Sequence, residues 1–164
     1  GHPKKLKSRI LFNFMQINFS DLDGKVINNK HYYPVKIFYE DTDAGGIVYH
    51  SNYLKYFERA RTSLLNLLKI DQIKLSQKHD TKLLVRKGEI IWNKPAKLND
   101  TLLIETCLKY AKNSSITLEQ NAFIDDKKST DLLVTGIFQI VAVNSNFRVK
   151  RIKSILQSNF FKNY

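Results

Sequence analysis

Only one stretch of this chain, from about Asn52 to Lys69, is long and regular enough for a core helix, and most of what surrounds it reads as strand. Tyr53, Phe57, Ala60, Leu64, Leu67 and Leu68 recur at spacings of three and four, while Lys55, Glu58, Arg59, Thr62 and Asn66 take the other side. Ser51 or Asn52 supplies the N-cap, and residues 71–79 predict a second, short helix. A helix with so wide an apolar face must bury it against something, and the rest of the chain offers a sheet.

Residues 32–40, YYPVKIFYE, alternate with period two: Val35, Ile37 and Tyr39 fall on one face, Lys36, Phe38 and Glu40 on the other. From Lys82 onward come KLLVRKGEIIW, TLLIETCLKYA, SSITLEQNAFI and LLVTGIFQIVAV, separated by NKPAKLND, KN and DDKKSTD. The β-favouring runs and their turn-forming separators predict four more strands. The order β-α-β-β-β-β with short connections predicts an α+β domain, an antiparallel five-stranded sheet wrapped on one long central helix. A chain of 164 residues is the right size for one such core.

The formal net charge of +12 raises a nucleic-acid partner, but its placement argues otherwise. Residues 1–31 carry +4 and residues 146–164 carry +5, leaving +3 on residues 32–145. The expected organisation is therefore a basic N-terminal extension (1–31), a folded domain (32–145) and a basic C-terminal tail (146–164). Those ends are either solvated or drawn to something acidic, such as an anionic membrane face or a carrier protein; a nucleic-acid partner is not expected. Cys107 is the one cysteine, so no disulfide forms within the chain and a reducing, cytoplasmic setting is expected. No Cys/His cluster has metal-site spacing. In PKKLKSRILFNFMQINF (3–19), Asn13, Gln16 and Asn18 break the apolar run, which argues against a secretory signal. The Gly-His-Pro start reads as a cloning scar, with Met15 as a candidate true start.

Chemistry concentrates in FYEDTDAGGIVYHSNYLKYFERAR, residues 38–61. A strand ends, Gly45 and Gly46 allow a tight turn, and a helix N-terminus follows, where unpaired N–H groups and the helix dipole favour an anion. Asp41 and Asp43 serve there as turn formers or as acids, and His50 as a neighbour of the cap or as a working group. Backbone amides at a helix start can hold the negative charge that grows on a carbonyl oxygen under attack. A nearby carboxylate can add to the carbonyl or take a proton from water. A thioester suits so small a set, because a thiol with a pKa of about 8.5 leaves as thiolate with little help.

The same stretch, YEDTDAGGIVYHSNYLKYFERAR, resembles the signature of hotdog-fold acyl-CoA thioesterases of the 4-hydroxybenzoyl-CoA thioesterase superfamily, closest to the YbgC-type branch associated with the Tol-Pal system. Weaker similarity continues through VRKGEIIWNKPAKLNDTLLIET, so the resemblance covers roughly residues 32–145. It implies hydrolysis of acyl-CoA or acyl-carrier-protein thioesters, with Asp43 as nucleophile or general base. His50 assists through its side chain and backbone amide, and Tyr39 lines the site. Asp41 shapes the turn, and Glu58 pairs on the helix surface with Arg61 and neighbours Thr62. It implies no cofactor beyond the coenzyme A of the substrate, and a homodimer or tetramer with active sites at the subunit interface. Arg86, Lys87, Lys94 and Lys97 are candidate contacts to coenzyme A phosphates, and the inner membrane face is a candidate docking surface. Hydratase chemistry is disfavoured, since the D-x-N-P-x-H pattern is absent. The remaining alternative is a scaffold that keeps the fold without turnover.

Overall fold

The computed structural model describes residues 19–126 and 129–162. The expectations for the segment 3–18, including Met15 as a start, lie outside the described residues. In chain order the elements are β1 (Lys25–Ile27), β2 (Lys30–Lys36), α1 (Asn52–Leu67), α2 (Gln72–His79), β3 (Lys82–Trp92), β4 (Thr101–Ala111), β5 (Ser115–Asp126), β6 (Ser129–Val143), β7 (Val149–Lys150) and α3 (Ile152–Ile155). Short 3-10 turns cover Phe19–Asp23, Tyr39–Asp41 and Asn159–Phe161. Every pairing is antiparallel and the strand order is β1-β2-β4-β5-β6-β3, with β7 beside β6. The five expected strands are β2 to β6, and two short strands extend the sheet. No helix among the described residues is long and apolar enough to cross a membrane.

Helix α1 packs on one face of this sheet because its apolar side has no other cover. Tyr53, Tyr56, Phe57, Ala60 and Leu64 are buried against Ile104, Leu118, Val134 and Phe138 of the strands. The rings of Phe57 and Phe138 meet at 5.6 Å. A polar network crosses this apolar contact: Gln120 Nε2 donates to the Phe57 carbonyl at 3.0 Å and to Thr106 Oγ1 at 2.9 Å. Arg61 Nη1 donates to Gln120 Oε1 at 2.9 Å, with the guanidinium 4.8 Å from the Phe138 ring centre. Arg61 is thus turned inward and is not the surface partner of Glu58 that the sequence suggests. A buried amide needs its acceptors and donors filled, and Gln120 recruits the guanidinium for that purpose. Glu58 keeps its other expected neighbour, accepting from Thr62 Oγ1 at 2.9 Å.

Three boundaries differ from the sequence reading. The first strand stops at Lys36, opposite Thr101, where its partner β4 begins. The Asp41 carboxylate then accepts the Phe38 N–H at 2.8 Å, and a local turn takes Tyr39 and Glu40 out of the ladder. At the front, β1 joins β2 through Asn28 and Asn29, both in the left-handed region that a tight hairpin requires, so the sheet begins inside the expected extension. At the back, the presumed tail is largely packed: β7 pairs with β6, and Ile152, Leu156, Phe160 and Phe161 join the core. Apolar side chains alternate there with Arg148, Arg151 and Lys153, which stay exposed.

Gly136 leaves room for two core rings, since a Cβ there would stand 2.5 Å from Phe138 Cε2 and 3.1 Å from Phe57 Cε2. Gly136→Ala is expected to cost about 1–3 kcal/mol through overpacking, read as a lower urea midpoint at unchanged m; an unchanged midpoint would mean that the rings shift freely. A second test concerns His31, fully buried with Nε2 2.7 Å from the Asp23 carbonyl. Burial lowers its pKa, against smaller raising effects from the Asp23 backbone and charge. Below about pH 6.5 the unfolded chain protonates this His while the folded chain resists, so stability falls as pH falls through that value. His31→Gln should flatten the change in urea midpoint between about pH 7.5 and 5.5, and an unaltered slope would assign it to other groups.

Candidate functional site

The turn between β2 and α1 is closed by its own backbone. Asp43 N–H donates to the Ile47 carbonyl at 2.9 Å and Gly46 N–H to the Asp43 carbonyl at 3.0 Å, with Gly46 at φ +78°. Thr42 and Val48 form an antiparallel bridge. The Asp41 carbonyl then accepts both Tyr49 N–H at 3.0 Å and Asn52 Nδ2 at 2.8 Å. These bonds bring the two ends of the turn together, so Asp43 and His50 flank one bonded loop.

Within it, Asp43 Oδ1 accepts Gly45 N–H at 2.8 Å and Ile47 N–H at 3.4 Å. Asp43 is exposed, and among the described residues its Oδ2 has no hydrogen-bond partner. One oxygen is therefore tied down and the other is available. Asp41 acts as the turn builder, its carboxylate on Phe38 N–H. The hydroxyl of Tyr56 is buried and faces Asp41; burial first, and the Asp41 carboxylate second, hold its pKa well above the ordinary tyrosine range.

Helix α1 starts without a side-chain cap. Ser51 stands at the N-cap with no side-chain bond, and the Asn52 amide is spent on Asp41. The amides of Asn52 and Leu54 go to the carbonyls of Tyr49 and Ser51. Among the described residues, the N–H groups of His50 and Ser51 find no acceptor, which is the arrangement that a negatively charged oxygen can use.

His50 lies between two aromatic rings, 4.4 Å from Tyr49 and 5.9 Å from Trp92 in an edge-on contact. Trp92 Nε1 also donates to the His50 carbonyl at 3.2 Å. Trp92 ends β3, and the chain after it continues around the turn: Val48 N–H donates to the Ala96 carbonyl, Ile47 bridges Lys97, and the Tyr53 hydroxyl accepts Ala96 N–H at 3.1 Å. Trp92, Asn52 and Tyr53 are site-building residues that the sequence reading placed elsewhere or passed over. For Trp92, the available signal was an indole at the end of a strand followed by NKPAKLND.

The expected site residues divide. Asp43 and His50 lie on the same closed turn, Asp43 within it and His50 at its end. Tyr39 lies just before it but is 81% exposed on the surface, not on a strand face. Lys97 sits against Ile47, and Lys94 pairs with Asp131 at 3.5 Å nearby on β6. Arg86 occupies a register shift in β3, and Lys87 pairs with Glu89 at 3.8 Å. Lys87 is five residues from Trp92, about 17 Å along an extended strand, so Arg86 and Lys87 are separated from the turn of their own chain.

Trp92→Phe keeps a ring but deletes the donor to His50. Amide exchange across residues 47–52 should accelerate about fivefold, the effect of losing a bond worth about 1 kcal/mol, while β5 amides stay unchanged. Equal exchange in both proteins would show that the indole N–H does not hold the turn.

Comparison with known proteins adds a family. Residues 39–160 match the model of the thioesterase-like superfamily. The acyl-CoA thioesterase YbgC of Haemophilus influenzae is 41% identical over 95 residues, covering 58% of this chain and 70% of the relative. The acyl-CoA thioester hydrolase YbgC of Escherichia coli O6:H1 is 39% identical over 88 residues, covering 54% of this chain and 65% of the relative. Among solved structures, a probable thioesterase from Bartonella henselae aligns with a TM-score of 0.67 and 28% identity, over 74% of this chain and 98% of the other. The 4-hydroxybenzoyl CoA thioesterase of Pseudomonas aligns with a TM-score of 0.71 and 16% identity, over 76% and 94%, a likeness of fold.

Proposed function

This chain belongs to the thioesterase-like superfamily, and from that premise we propose that it hydrolyses acyl-CoA thioesters to a free acid and coenzyme A. The observation that carries the reading is the pairing of Asp43, with one carboxylate oxygen held and one available, with a helix start that has no side-chain cap, its N-cap Ser51 eight residues on. The relatives named for the same reaction support it.

In this reading the thioester carbonyl oxygen sits against the N–H groups of His50 and Ser51. Asp43 takes a proton from water as the water oxygen bonds to the carbonyl carbon, and the negative charge moves to the oxygen facing those amides. Collapse of that intermediate breaks the C–S bond, and the departing thiolate regains a proton from the Asp43 carboxyl. Direct attack by Asp43, giving an anhydride that water opens, needs the same groups and reaches the same products. Neither route requires a cofactor beyond the coenzyme A already in the substrate. Lys94 and Lys97, beside the turn, are the preferred contacts for its phosphates.

A dimer is part of the proposal. Strand β3 ends the strand order and is eleven residues long, with Leu84, Val85, Ile91 and Trp92 exposed. An edge of that kind favours pairing with a second copy. Such pairing would also give exposed Tyr39 a surface to line and place Arg86 and Lys87 near a second copy's turn. A reducing compartment is inferred from the single Cys107.

Thiol release from a panel of acyl-CoAs tests the reading. Asp43→Asn should lower turnover by about two orders of magnitude or more with the fold intact, and His50→Ala by less, because its backbone amide remains. Activity of Asp43→Asn within a few-fold of the parent would remove Asp43 from the chemistry.

A further inference from the structure

The hairpin that joins β6 to β7 carries Phe147 at its tip, 76% exposed and outside the core. Its backbone stands at φ +58°, in the left-handed region. Phe147 N–H donates to the Asn144 carbonyl and Asn144 N–H to the Arg148 carbonyl, both at 2.9 Å. This is the hairpin position that glycine or asparagine ordinarily fills, because a bulky side chain is strained there. A phenylalanine here neither relaxes the turn nor packs the core, and strain of this kind concentrates where a site is used. We propose that Phe147 is a membrane anchor: its ring enters the boundary between headgroups and acyl chains of an anionic bilayer, and the cations around it meet lipid phosphates. The inference concerns where the chain docks and does not rest on the hydrolase reading.

The loop is built to leave water. From Asn144 to Arg148 every backbone N–H has an acceptor inside the protein. Besides the two bonds above, Ser145 N–H donates to Asp80 Oδ1 at 3.1 Å, and Asn144 Oδ1 accepts Asn146 N–H at 2.9 Å and Arg148 N–H at 3.0 Å. A loop that stays in water can leave such groups to the solvent, whereas one that enters a bilayer must satisfy its amides itself. An acidic protein partner would find no free backbone donor at this tip and would have to supply a pocket for its ring. Val149, two residues on, is 55% exposed and extends the apolar surface.

Charge around the tip has one sign. Residues 144–153 contain Arg148, Lys150, Arg151 and Lys153 and no acid. Lys150 is a brace, its Nζ donating to the His79 carbonyl at 2.6 Å and to Thr81 Oγ1 at 2.7 Å. Arg148, Arg151 and Lys153 are exposed and, among the described residues, form no ion pair. Ile152 N–H donates to the Asn113 carbonyl at 3.0 Å, which ties this segment to the turn between β4 and β5 and its exposed Lys112. On the other flank, exposed Lys82 opens β3 opposite Val143, the last residue of β6. Asp80, the acid that reaches the hairpin, is engaged by Ser145. The cations thus stand on three turns at one end of the sheet, and Trp92, beside the Asp43 turn, is about 33 Å away along β3. Fluid headgroups can match cations so dispersed, and their attraction adds to the insertion of an apolar ring.

The test is co-sedimentation of the full chain with vesicles of phosphatidylglycerol and phosphatidylcholine in equal parts, and with vesicles of phosphatidylcholine alone. The parent should bind the first, leave the second in solution and be released as salt rises. Phe147→Asn suits the left-handed position, so its thermal midpoint should equal or exceed the parent's, which separates loss of docking from loss of fold. Its binding to the anionic vesicles should nevertheless fall about tenfold or more, the effect of losing one buried aromatic ring. Arg148→Gln and Arg151→Gln should each lower binding about fivefold. A parent that binds neither vesicle would overturn the anchor. Undiminished binding by Phe147→Asn would also overturn it and move any lipid contact elsewhere, such as the cations of residues 4–9. Capture of poly-glutamate by a parent that ignores vesicles would give the cations to an acidic protein and overturn the lipid assignment.

Discussion

The carbonyl of Asp41 does more than any other single atom to position this site. It accepts Tyr49 N–H and Asn52 Nδ2 together, and so fixes the start of α1 against the end of β2. Everything the site needs follows from that junction. The intervening residues must close a tight turn, which Asp43 does with one carboxylate oxygen on two amides. Because Asn52 is spent on Asp41, it does not cap the helix. A side-chain cap at Ser51 would stabilise the helix by about 1 kcal/mol through the amides of Tyr53 or Leu54, and would leave those of His50 and Ser51 as they are.

A second junction keeps the helix from sliding along the sheet. The apolar contact of Phe57 with Phe138 is not directional, but the Gln120 network is: one side-chain amide bonds the helix backbone at Phe57, the β4 side chain of Thr106 and the helix guanidinium of Arg61. Removing any partner strands a buried polar group at a cost of about 1–3 kcal/mol. The register of α1 on the strands is thereby specified, and with it which helix residues face β3.

Much of this was legible in the sequence. The amphipathic period of residues 52–69 located α1, alternation located the first of the five expected strands and β-favouring runs the other four, and the acids and glycines before the helix located the turn carrying Asp43 and His50. The misreadings have physical causes. Alternation assigned Tyr39 to a strand face, yet a side-chain bond from Asp41 to the Phe38 amide ends the strand first; a local polar competitor is invisible to a hydrophobic period. Charge counting made residues 146–164 a tail, although Ile152, Leu156, Phe160 and Phe161 bury between the cations. Arg61 looked like a surface partner of Glu58 because helical spacing says which residues are neighbours, not which way a long side chain turns. Trp92 was assigned to its strand, but its bond to the His50 carbonyl spans 42 positions of sequence, a distance over which no local pattern carries information.

Strand β3 joins these threads. It carries Trp92, whose indole bonds the turn at His50, and it is also the edge left open by the strand order. In a single chain the bond from Trp92 to His50 competes with water, since the indole is half exposed. Covering that edge would exclude the competing water, and a hydrogen bond in a lower dielectric is stronger. Pairing and site order are then linked quantities: whatever free energy a second copy gains by ordering the turn, a ligand that orders the turn must return to pairing. In the proposed pairing one strand would serve both as interface and as clamp, so activity would rise with assembly.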